Sequence, residues 1–444
     1  MTQAVQDAAP WPTPWRAWST VIVLMLAYTV SFVDRTIISL LVEPIKADLH
    51  LTDTQLSLLQ GLAFSLFYTT MGLPFGWLID RVSRKWVIVF GATVWCVSTA
   101  ACGLAGHFWH LFLGRIGVGA GEACLSPAAV SMIGDNFPPE KRSLPLGFYV
   151  GASSIGSGLA LVCGGAVIHA VANNPSIALP LVGEVRSWQA AFLIVGLAGL
   201  VVVGLVALLR EPIRRRPPGE ASEPAHTVIR HFRRHPMFYV CQYLAVGLYC
   251  AMAYGLLAWI PAYFIRKFEW SAADTGLRYG LVLLIAGGVG SIAGGWIANR
   301  VRATGRRTAN VDVAWPAMMM VAPLMVVAFT APNAWMALGV LSVAVVIYTV
   351  PSGLAIGAIQ DASPASLHGR TAAVYYLVIG LLGLTVGPLL VALLTDYVFQ
   401  KPEDVGLSLA VIAAVLAPTS AVIMLLGRKA FDRALAEPNA RQPA

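Results

Sequence analysis

The stretch Gly76–Val82, with the sequence GWLIDRV, recurs in the second half of the chain as Gly295–Val301, with the sequence GWIANRV. In both copies a helix end of small and apolar residues runs directly into a basic turn. The two copies also occupy the same place in a series of apolar segments. The repeat therefore indicates a chain built of two related halves, and in a membrane protein such a repeat commonly places a ligand path between them.

The composition is that of an integral membrane protein. Of 444 residues, 57% are hydrophobic and only 12% are charged, and the mean hydropathy is +0.72. Twelve apolar runs each approach or exceed the roughly 20 residues that a spanning helix needs. We expect an all-α protein with twelve spans at 18–42, 54–80, 86–107, 108–134, 142–171, 188–209, 237–265, 273–299, 311–331, 333–360, 368–396 and 405–427.

The basic residues predict the orientation of these spans. When alternate loops are assigned to opposite sides, 22 lysines and arginines fall on one side and six on the other. By the positive-inside rule, the first side, which carries both termini, is cytoplasmic. We expect the net charge of +8 to reflect topology and contact with anionic membrane lipids, not binding of nucleic acid.

We expect the chain to have five parts, in which the longest polar segment separates two helical bundles. The first run of apolar residues is too long for a signal peptide and lacks a small-residue cleavage site, so we expect it to remain as span 1. The expected parts are a cytoplasmic N-terminal segment (1–17), a six-helix bundle (18–209), a basic cytoplasmic linker (210–236), a second six-helix bundle (237–427) and a cytoplasmic tail (428–444).

Sequence motifs for enzymes, metals and cofactors are absent. The six cysteines all lie in apolar runs without a Cys-x-x-Cys pair, so we interpret them as small packing residues. The chain has no HExxH, no phosphate-binding glycine loop and no GxSxG. These absences argue against an intramembrane protease, an ATP-driven pump and a lipase, and we expect neither a metal nor a cofactor.

Four ionisable residues fall at membrane depth, namely Asp34 and Arg35 in span 1 and Arg115 and Glu122 in span 4. A charge near the bilayer centre costs several kcal/mol or more, so such residues face partners or water and are functional candidates. The alternative is a fixed ion pair that only joins the two helices.

Their depths match. Asp34 lies about 12 Å and Arg115 about 10 Å below the same outer surface, at about 1.5 Å per residue. Glu122 follows Arg115 by nearly two helical turns, so it lies on the same face about 10 Å deeper. The spacing predicts a ladder of acid, base and acid that extends from the outer surface towards the membrane centre.

These residue types suit the exchange of a proton for an anion. A carboxyl group takes up or releases a proton as its hydration and its distance from an arginine change. Arginine keeps its charge and can hold an anionic head group with two parallel bonds. An ionised acid would pair with the arginine, and a protonated acid would leave the arginine available to a substrate.

Several motifs resemble a known family. The loop between spans 2 and 3, from Gly76 to Lys85, is similar to the signature loop of the major facilitator superfamily. Further motifs resemble Spinster-type transporters within that superfamily. They are Val33–Arg35, Gly119–Pro127, Pro138–Arg142, Gly156–Ala160, Ile359–Asp361 and Gly387–Leu390.

The resemblance implies two bundles of six helices and a proton-linked carrier; eukaryotic members export sphingosine-1-phosphate or lysophospholipids. It implies that Asp34 and Glu122 couple protons and, with Arg35 and Arg115, bind substrate. It also implies a cytoplasmic gate that consists of Gly76, Asp80, Arg81, Arg84, Asp135, Asn299 and Arg300. Because Asn299 stands where the first copy has Asp80, we expect the second half to latch more weakly.

Aromatic residues of spans 7 and 11 could form an apolar wall for the tail of an amphiphile, and we select Tyr249, Tyr254 and Tyr375 for this role. Span 5 lacks the Gly-Pro pair of drug-antiporter members, so the direction of transport stays open.

The sequence is compatible with three functions. The first is a monomeric, proton-coupled carrier of amphiphilic, lipid-like anions in the plasma membrane, which would be a bacterial inner membrane. The second is a proton-coupled carrier of small organic anions, because anion:cation symporters share the charged pattern of spans 1 and 4. The third is a membrane receptor that does not transport.

Overall fold

The computed structural model of the chain describes residues 10–138, 141–172, 176–179, 183–215, 225–364 and 367–436. Parts of the predicted N-terminal segment, linker and tail, together with Pro139 and Glu140 of one family motif, lie outside the described residues.

In the described residues of its first half, the chain forms nine helices and one small hairpin. The bounds are α1 Pro14–Leu40, α2 Val42–Leu49, α3 Asp53–Gln60, α4 Leu62–Ile79, α5 Arg84–Cys102, α6 Phe108–Glu122, α7 Leu125–Asn136, α8 Ser143–Ala172, β1 Ser176–Leu179, β2 Gly183–Arg186 and α9 Ser187–Leu208.

In the described residues of the second half, all regular secondary structure is helical. The bounds are α10 Ala225–Arg234, α11 Pro236–Phe268, α12 Ala272–Ala303, α13 Ala309–Phe329, α14 Ala334–Thr349, α15 Pro351–Asp361, α16 His368–Val378, a π-helical stretch Ile379–Val386, α17 Gly387–Leu393, a second π-helical stretch Leu394–Phe399, a 3₁₀ turn Pro402–Asp404 and α18 Val405–Ala436.

The helical membrane fold is confirmed. Within the described residues, eleven helical stretches are long and apolar enough to span a membrane, and a shorter apolar stretch, Gly156–Ala170, lies in α8. The count of twelve and the side of the termini remain predictions.

Three predicted spans are interrupted helices. Span 2 breaks at Gly61, between α3 and α4. Span 4 breaks after Glu122, and span 10 breaks at Val350, directly before Pro351. Proline lacks the N–H that would continue the helical ladder, which accounts for the last of these breaks. Spans 4 and 10 occupy equivalent places in the two halves, so the break is part of the repeat.

The hairpin is an exception to the all-α prediction. Strands β1 and β2 pair antiparallel, with Ser176 opposite Arg186 and Leu179 opposite Gly183. Gly183 has a φ of +86°, a conformation that glycine adopts without a steric cost. The hairpin follows span 5, outside the twelve apolar runs, where helical periodicity gives no signal.

The chain forms two compact units. Unit 1 comprises Met1–Glu220 and Trp270–Leu284, and unit 2 comprises Ala221–Glu269 and Ile285–Ala444. In unit 1, α1 packs against α8, and α5 packs against α6 and α9. In unit 2, α18 packs against α11 and α13, and the Trp259 indole donates a hydrogen bond to the Pro388 carbonyl at 3.0 Å.

Glycines allow close helix contact inside unit 1. A Cβ atom added at Gly158 of α8 would lie 2.4 Å from the Leu284 backbone nitrogen and 2.7 Å from the Gly280 carbonyl oxygen of α12. A Cβ atom at Gly276 would lie 2.6 Å from the Leu161 carbonyl oxygen. Small residues at such crossings bring backbones together, which stabilises helix pairs in membranes.

We expect Gly158→Ala to destabilise the protein, because its methyl group would collide with the backbone of α12. The free energy of unfolding should fall by about 1–3 kcal/mol, measured by thermal unfolding in detergent. Gly288→Ala is the matched control, since a Cβ atom there would meet no atom within 4 Å. An equal effect of the two substitutions would contradict the proposed close packing.

Candidate functional site

A buried ion pair joins α1 to the end of α6. Arg35 Nε donates a hydrogen bond to Glu122 Oε2 at 2.6 Å, and Arg35 Nη2 lies 2.5 Å from the same oxygen. The Glu122 side chain is fully buried, whereas the Arg35 side chain is 13% exposed. Glu122 Oε1 has no hydrogen-bond partner among the described residues. The carboxylate can therefore accept a further proton or donor on that oxygen.

Aromatic rings surround the guanidinium of Arg35. Its central carbon lies 5.1 Å from the ring centre of Phe32 and 4.7 Å from those of Phe64 and Tyr68. Such contacts attract a cation electrostatically, and more strongly where water is excluded. The rings thus favour a charged Arg35 at this position, independently of Glu122.

Arg115 is 1% exposed and binds backbone carbonyls. Its Nε donates to the Leu59 carbonyl at 3.3 Å and its Nη1 donates to the Asp34 carbonyl at 3.0 Å. Leu59 lies in the last turn of α3, where a helix end leaves carbonyls without intrahelical partners. The predicted meeting of Arg115 with Asp34 thus occurs at the backbone of Asp34, and Arg35 is the cation that pairs with Glu122.

Asp34 is fully buried next to these charges. Neither of its carboxylate oxygens accepts a hydrogen bond from the described residues. Its carboxyl group interacts electrostatically with Glu122, Arg115 and Arg35, and Thr99 lies next to it. Because burying an ionised carboxylate without partners is costly, its charge state depends on these neighbours.

Close backbone contacts position Glu122. A Cβ atom added at Gly119 would lie 2.2 Å from the Phe64 carbonyl oxygen, and one at Gly121 would lie 2.6 Å from the Gly91 carbonyl oxygen. The two glycines therefore let α6 approach α4 and α5 closely. Glu122 is the last residue of α6, so this packing fixes where its carboxylate emerges.

A second charged cluster lies where α4 gives way to α5. Arg84 is 1% exposed and pairs with Asp135. Its Nε donates to Glu211 Oε1 at 3.2 Å, and its Nη2 donates to the Pro212 carbonyl at 2.9 Å. The structure thus brings together two of the predicted gate residues and adds Glu211, which the sequence analysis did not select.

Glu211 caps the N-terminus of α5. It accepts hydrogen bonds from the Arg84 backbone N–H at 2.8 Å and from the hydroxyl of Ser83. Burial alone would raise the pKa of Glu211, but the bonds from Ser83 and Arg84 outweigh it and hold the pKa below its usual value. A carboxylate at this position also complements the helix dipole.

The remaining predicted gate residues of unit 1 lie at the end of α4. Arg214 of the linker donates to the carbonyls of Ile79, Asp80 and Val82. The Arg81 guanidinium lies 3.8 Å from the ring centre of Trp77. A side chain added at Gly76 would meet no atom within 4 Å.

Unit 2 repeats part of this arrangement with different residues. Arg302 Nη2 and Asn310 Nδ2 each lie 2.8 Å from Asp361 Oδ2. Asp361 ends α15, as Asp135 nearly ends α7. Asn299 is exposed, and the Arg300 guanidinium lies 4.2 Å from the ring centre of Trp296. Alignment of Asp361 with Asp135 along the repeat could have identified this cluster from the sequence.

The three selected tyrosines lie in unit 2. The Tyr249 hydroxyl donates to the Tyr348 carbonyl at 2.8 Å. Tyr375 is buried and contacts the ring of Tyr376 edge-on, and Tyr254 is partly buried. Their role in binding substrate remains a prediction.

We expect Glu211→Gln to lower stability at neutral pH by about 1–2 kcal/mol, because it weakens charge-assisted bonds in a partly exposed cluster. The pKa of Glu211 is lower in the folded protein than in the unfolded chain. The ionised carboxylate therefore stabilises the fold at a pH above the unfolded-state pKa, and this stabilisation is lost as the pH falls through the folded-state pKa. The difference between variant and parent should therefore shrink on acidification. Thermal unfolding across a pH series measures this, with the exposed Glu184→Gln as control. A difference that does not vary with pH would contradict the cap.

Comparisons with known proteins agree with this architecture. Residues 24–388 match the family model described as Major Facilitator Superfamily. The chain is 28% identical to an "MFS-type efflux pump" of Mycolicibacterium smegmatis, over 96% of this chain and 95% of that protein. It is 27% identical to "Protein spinster" of Drosophila melanogaster, over 63% of this chain and 46% of that protein.

A solved structure shares the fold. It is the crystal structure of a bacterial homologue of the human lysosomal transporter Spinster, in an inward-facing and unoccupied conformation. The TM-score is 0.78 at 23% identity, and the match covers 96% of this chain and 98% of the other. The family model, the relatives and the fold agree: this chain belongs to the Major Facilitator Superfamily, as a Spinster-like multi-pass membrane transporter.

Proposed function

We propose that this transporter couples proton movement to the transport of amphiphilic, lipid-like anions, and that the Arg35–Glu122 pair is the coupling site. One observation carries the proposal. In this pair, the Arg35 side chain is 13% exposed and the Glu122 side chain is not exposed. An anion that enters therefore encounters the guanidinium first.

Coupling begins with the carboxylate. While Glu122 is ionised, it neutralises Arg35 and occupies its donors at 2.5–2.6 Å. When Glu122 takes up a proton, the attraction between the two side chains is largely lost. Arg35 keeps its charge, and its aromatic neighbours hold the cation in place. The guanidinium can then bind the head group of an anion.

The charge balance of the cluster explains why the two events are coupled. Two acids, Asp34 and Glu122, and two arginines, Arg35 and Arg115, cancel when all are ionised. Protonation of one acid leaves a net charge of +1, and binding of a monovalent anion restores neutrality. Since an unbalanced charge at this depth is costly, binding of the anion favours retention of the proton and loss of the proton favours release of the anion.

An amphiphile suits the surroundings of Arg35. Phe32, Phe64 and Tyr68 lie within about 5 Å of the guanidinium, so an anionic head group would lie next to apolar surface. A small hydrophilic anion would gain less from these rings.

Uptake into proteoliposomes, screened with lysolipids and with organic acids in the presence and absence of a pH gradient, tests the proposal. If the protein transports organic acids but no lysolipid, the lipid-like substrate is wrong and the protein is a carrier of small organic anions.

We expect Glu122→Gln to fold but to lose transport driven by a pH gradient, because an amide keeps the shape of the side chain and cannot exchange a proton. Accumulation of substrate in proteoliposomes should fall at least ten-fold, while exchange of substrate without a gradient should be less affected. The exposed Glu403→Gln serves as the matched control. Full proton-driven accumulation by Glu122→Gln would exclude this residue as the coupling group.

We expect Arg115→Lys to reduce transport about ten- to hundred-fold although the charge is conserved. A lysine cannot reproduce the planar fork that reaches the carbonyls of Leu59 and Asp34, and each lost charge-assisted bond costs about 1.5–3 kcal/mol. Transport rates matched for expression are compared with those of the exposed Arg433→Lys. Equal rates for the two variants would show that the position needs only a positive charge.

A further inference from the structure

A groove of about 370 Å³ lies at the end of α12 in unit 2. This volume is within the range of small-ligand sites. Its lining combines apolar and cationic side chains from the second copy of the repeat and the turn that follows. The lining residues are Trp296, Ile297, Arg300, Val301, Thr304 and Arg306.

Two arginines of this groove form no ion pair with an acid within the part of the chain that the structure describes. Arg300 lies over the Trp296 ring, and among the described residues neither Arg300 nor Arg306 makes an ion pair or a hydrogen bond. The nearby acids are already engaged: Asp361 pairs with Arg302. Asp312 interacts electrostatically with Arg306, but it pairs with Arg428 and accepts a hydrogen bond from Thr308. The groove is therefore electropositive.

The first copy of the repeat is covered at the equivalent place. There, Arg214 of the linker binds the last carbonyls of α4, namely those of Ile79, Asp80 and Val82. In the second copy, the Val301 carbonyl accepts a hydrogen bond from the nearby Thr304 hydroxyl at 2.7 Å. Within the described part of unit 2, no linker side chain binds the carbonyls at the end of α12 as Arg214 binds those of α4.

We propose that this groove binds the head group of an anionic phospholipid. Arg300 and Arg306 would hold the phosphate, since guanidinium groups match phosphate oxygens in geometry and charge. Trp296 is 56% exposed and Ile297 is 37% exposed at the end of a spanning helix, so they would contact the glycerol and the first acyl carbons. Tryptophan is typical of the membrane interface. These apolar contacts favour a lipid over a free phosphate.

This site is separate from the transport proposal and is tested without transport. Full-length protein in detergent is titrated with phosphatidylglycerol, phosphatidylcholine or sn-glycerol 3-phosphate, and bound molecules are counted by native mass spectrometry. Each guanidinium in direct contact with the phosphate should contribute about five-fold to the affinity, which is the upper range for an exposed ion pair. The double variant R300Q/R306Q should therefore weaken phosphatidylglycerol binding about thirty-fold.

The control variant R307Q/K429Q removes the same charge from exposed side chains outside the groove and should change binding less than five-fold. The substitution Trp296→Leu should weaken binding about two- to five-fold through loss of the cation–π contact. Thermal unfolding checks that all variants are folded. Equal weakening in the two double variants would overturn the proposal in favour of a diffuse charge effect, and equal affinity for sn-glycerol 3-phosphate would overturn it in favour of a free-anion site.

Discussion

The bond between the Arg35 guanidinium and the Glu122 carboxylate joins two helices at a depth where an unpaired charge is costly. Removing one partner of a buried pair leaves the other charge uncompensated, which costs about 3–5 kcal/mol. The packing around the pair holds the Glu122 carboxylate next to Arg35. Gly119 and Gly121 bring the backbone of α6 close to α4 and α5, and the helix ends directly after Glu122.

Both halves have an acid–arginine cluster at the helix ends, but the clusters differ in burial and in their partners. In unit 1, a buried arginine, Arg84, binds two acids, and the linker covers the end of α4. In unit 2, Asp361 binds Arg302 and Asn310 in a partly exposed setting. An exposed pair contributes less than a buried, networked one. The weaker latch expected from Asn299 stays a prediction.

The sequence predicted the membrane fold and singled out the four ionisable residues that lie together between α1 and α6, because apolar runs and ionisable residues within them are local signals. Depth arithmetic also placed Arg115 near Asp34. The depth estimate could not show which arginine pairs with Glu122. That depends on the direction in which the side chains of Arg35 and Arg115 leave their helices, and only the packing of the helices determines this direction. Glu211 was missed because it lies in a basic linker, and its importance arises from the helix end that it caps. The breaks at Gly61 and after Glu122 have no strong signal in a chain with 41 glycines.

The central claim is that Glu122 takes up a proton and thereby releases Arg35. Infrared difference spectroscopy between alkaline and acidic pH detects protonation of a buried carboxyl group directly. For the reconstituted protein, the account predicts a protonated-carboxyl band on acidification, accompanied by a change in the arginine bands, and loss of both in Glu122→Gln. A spectrum that is unchanged by Glu122→Gln would contradict it.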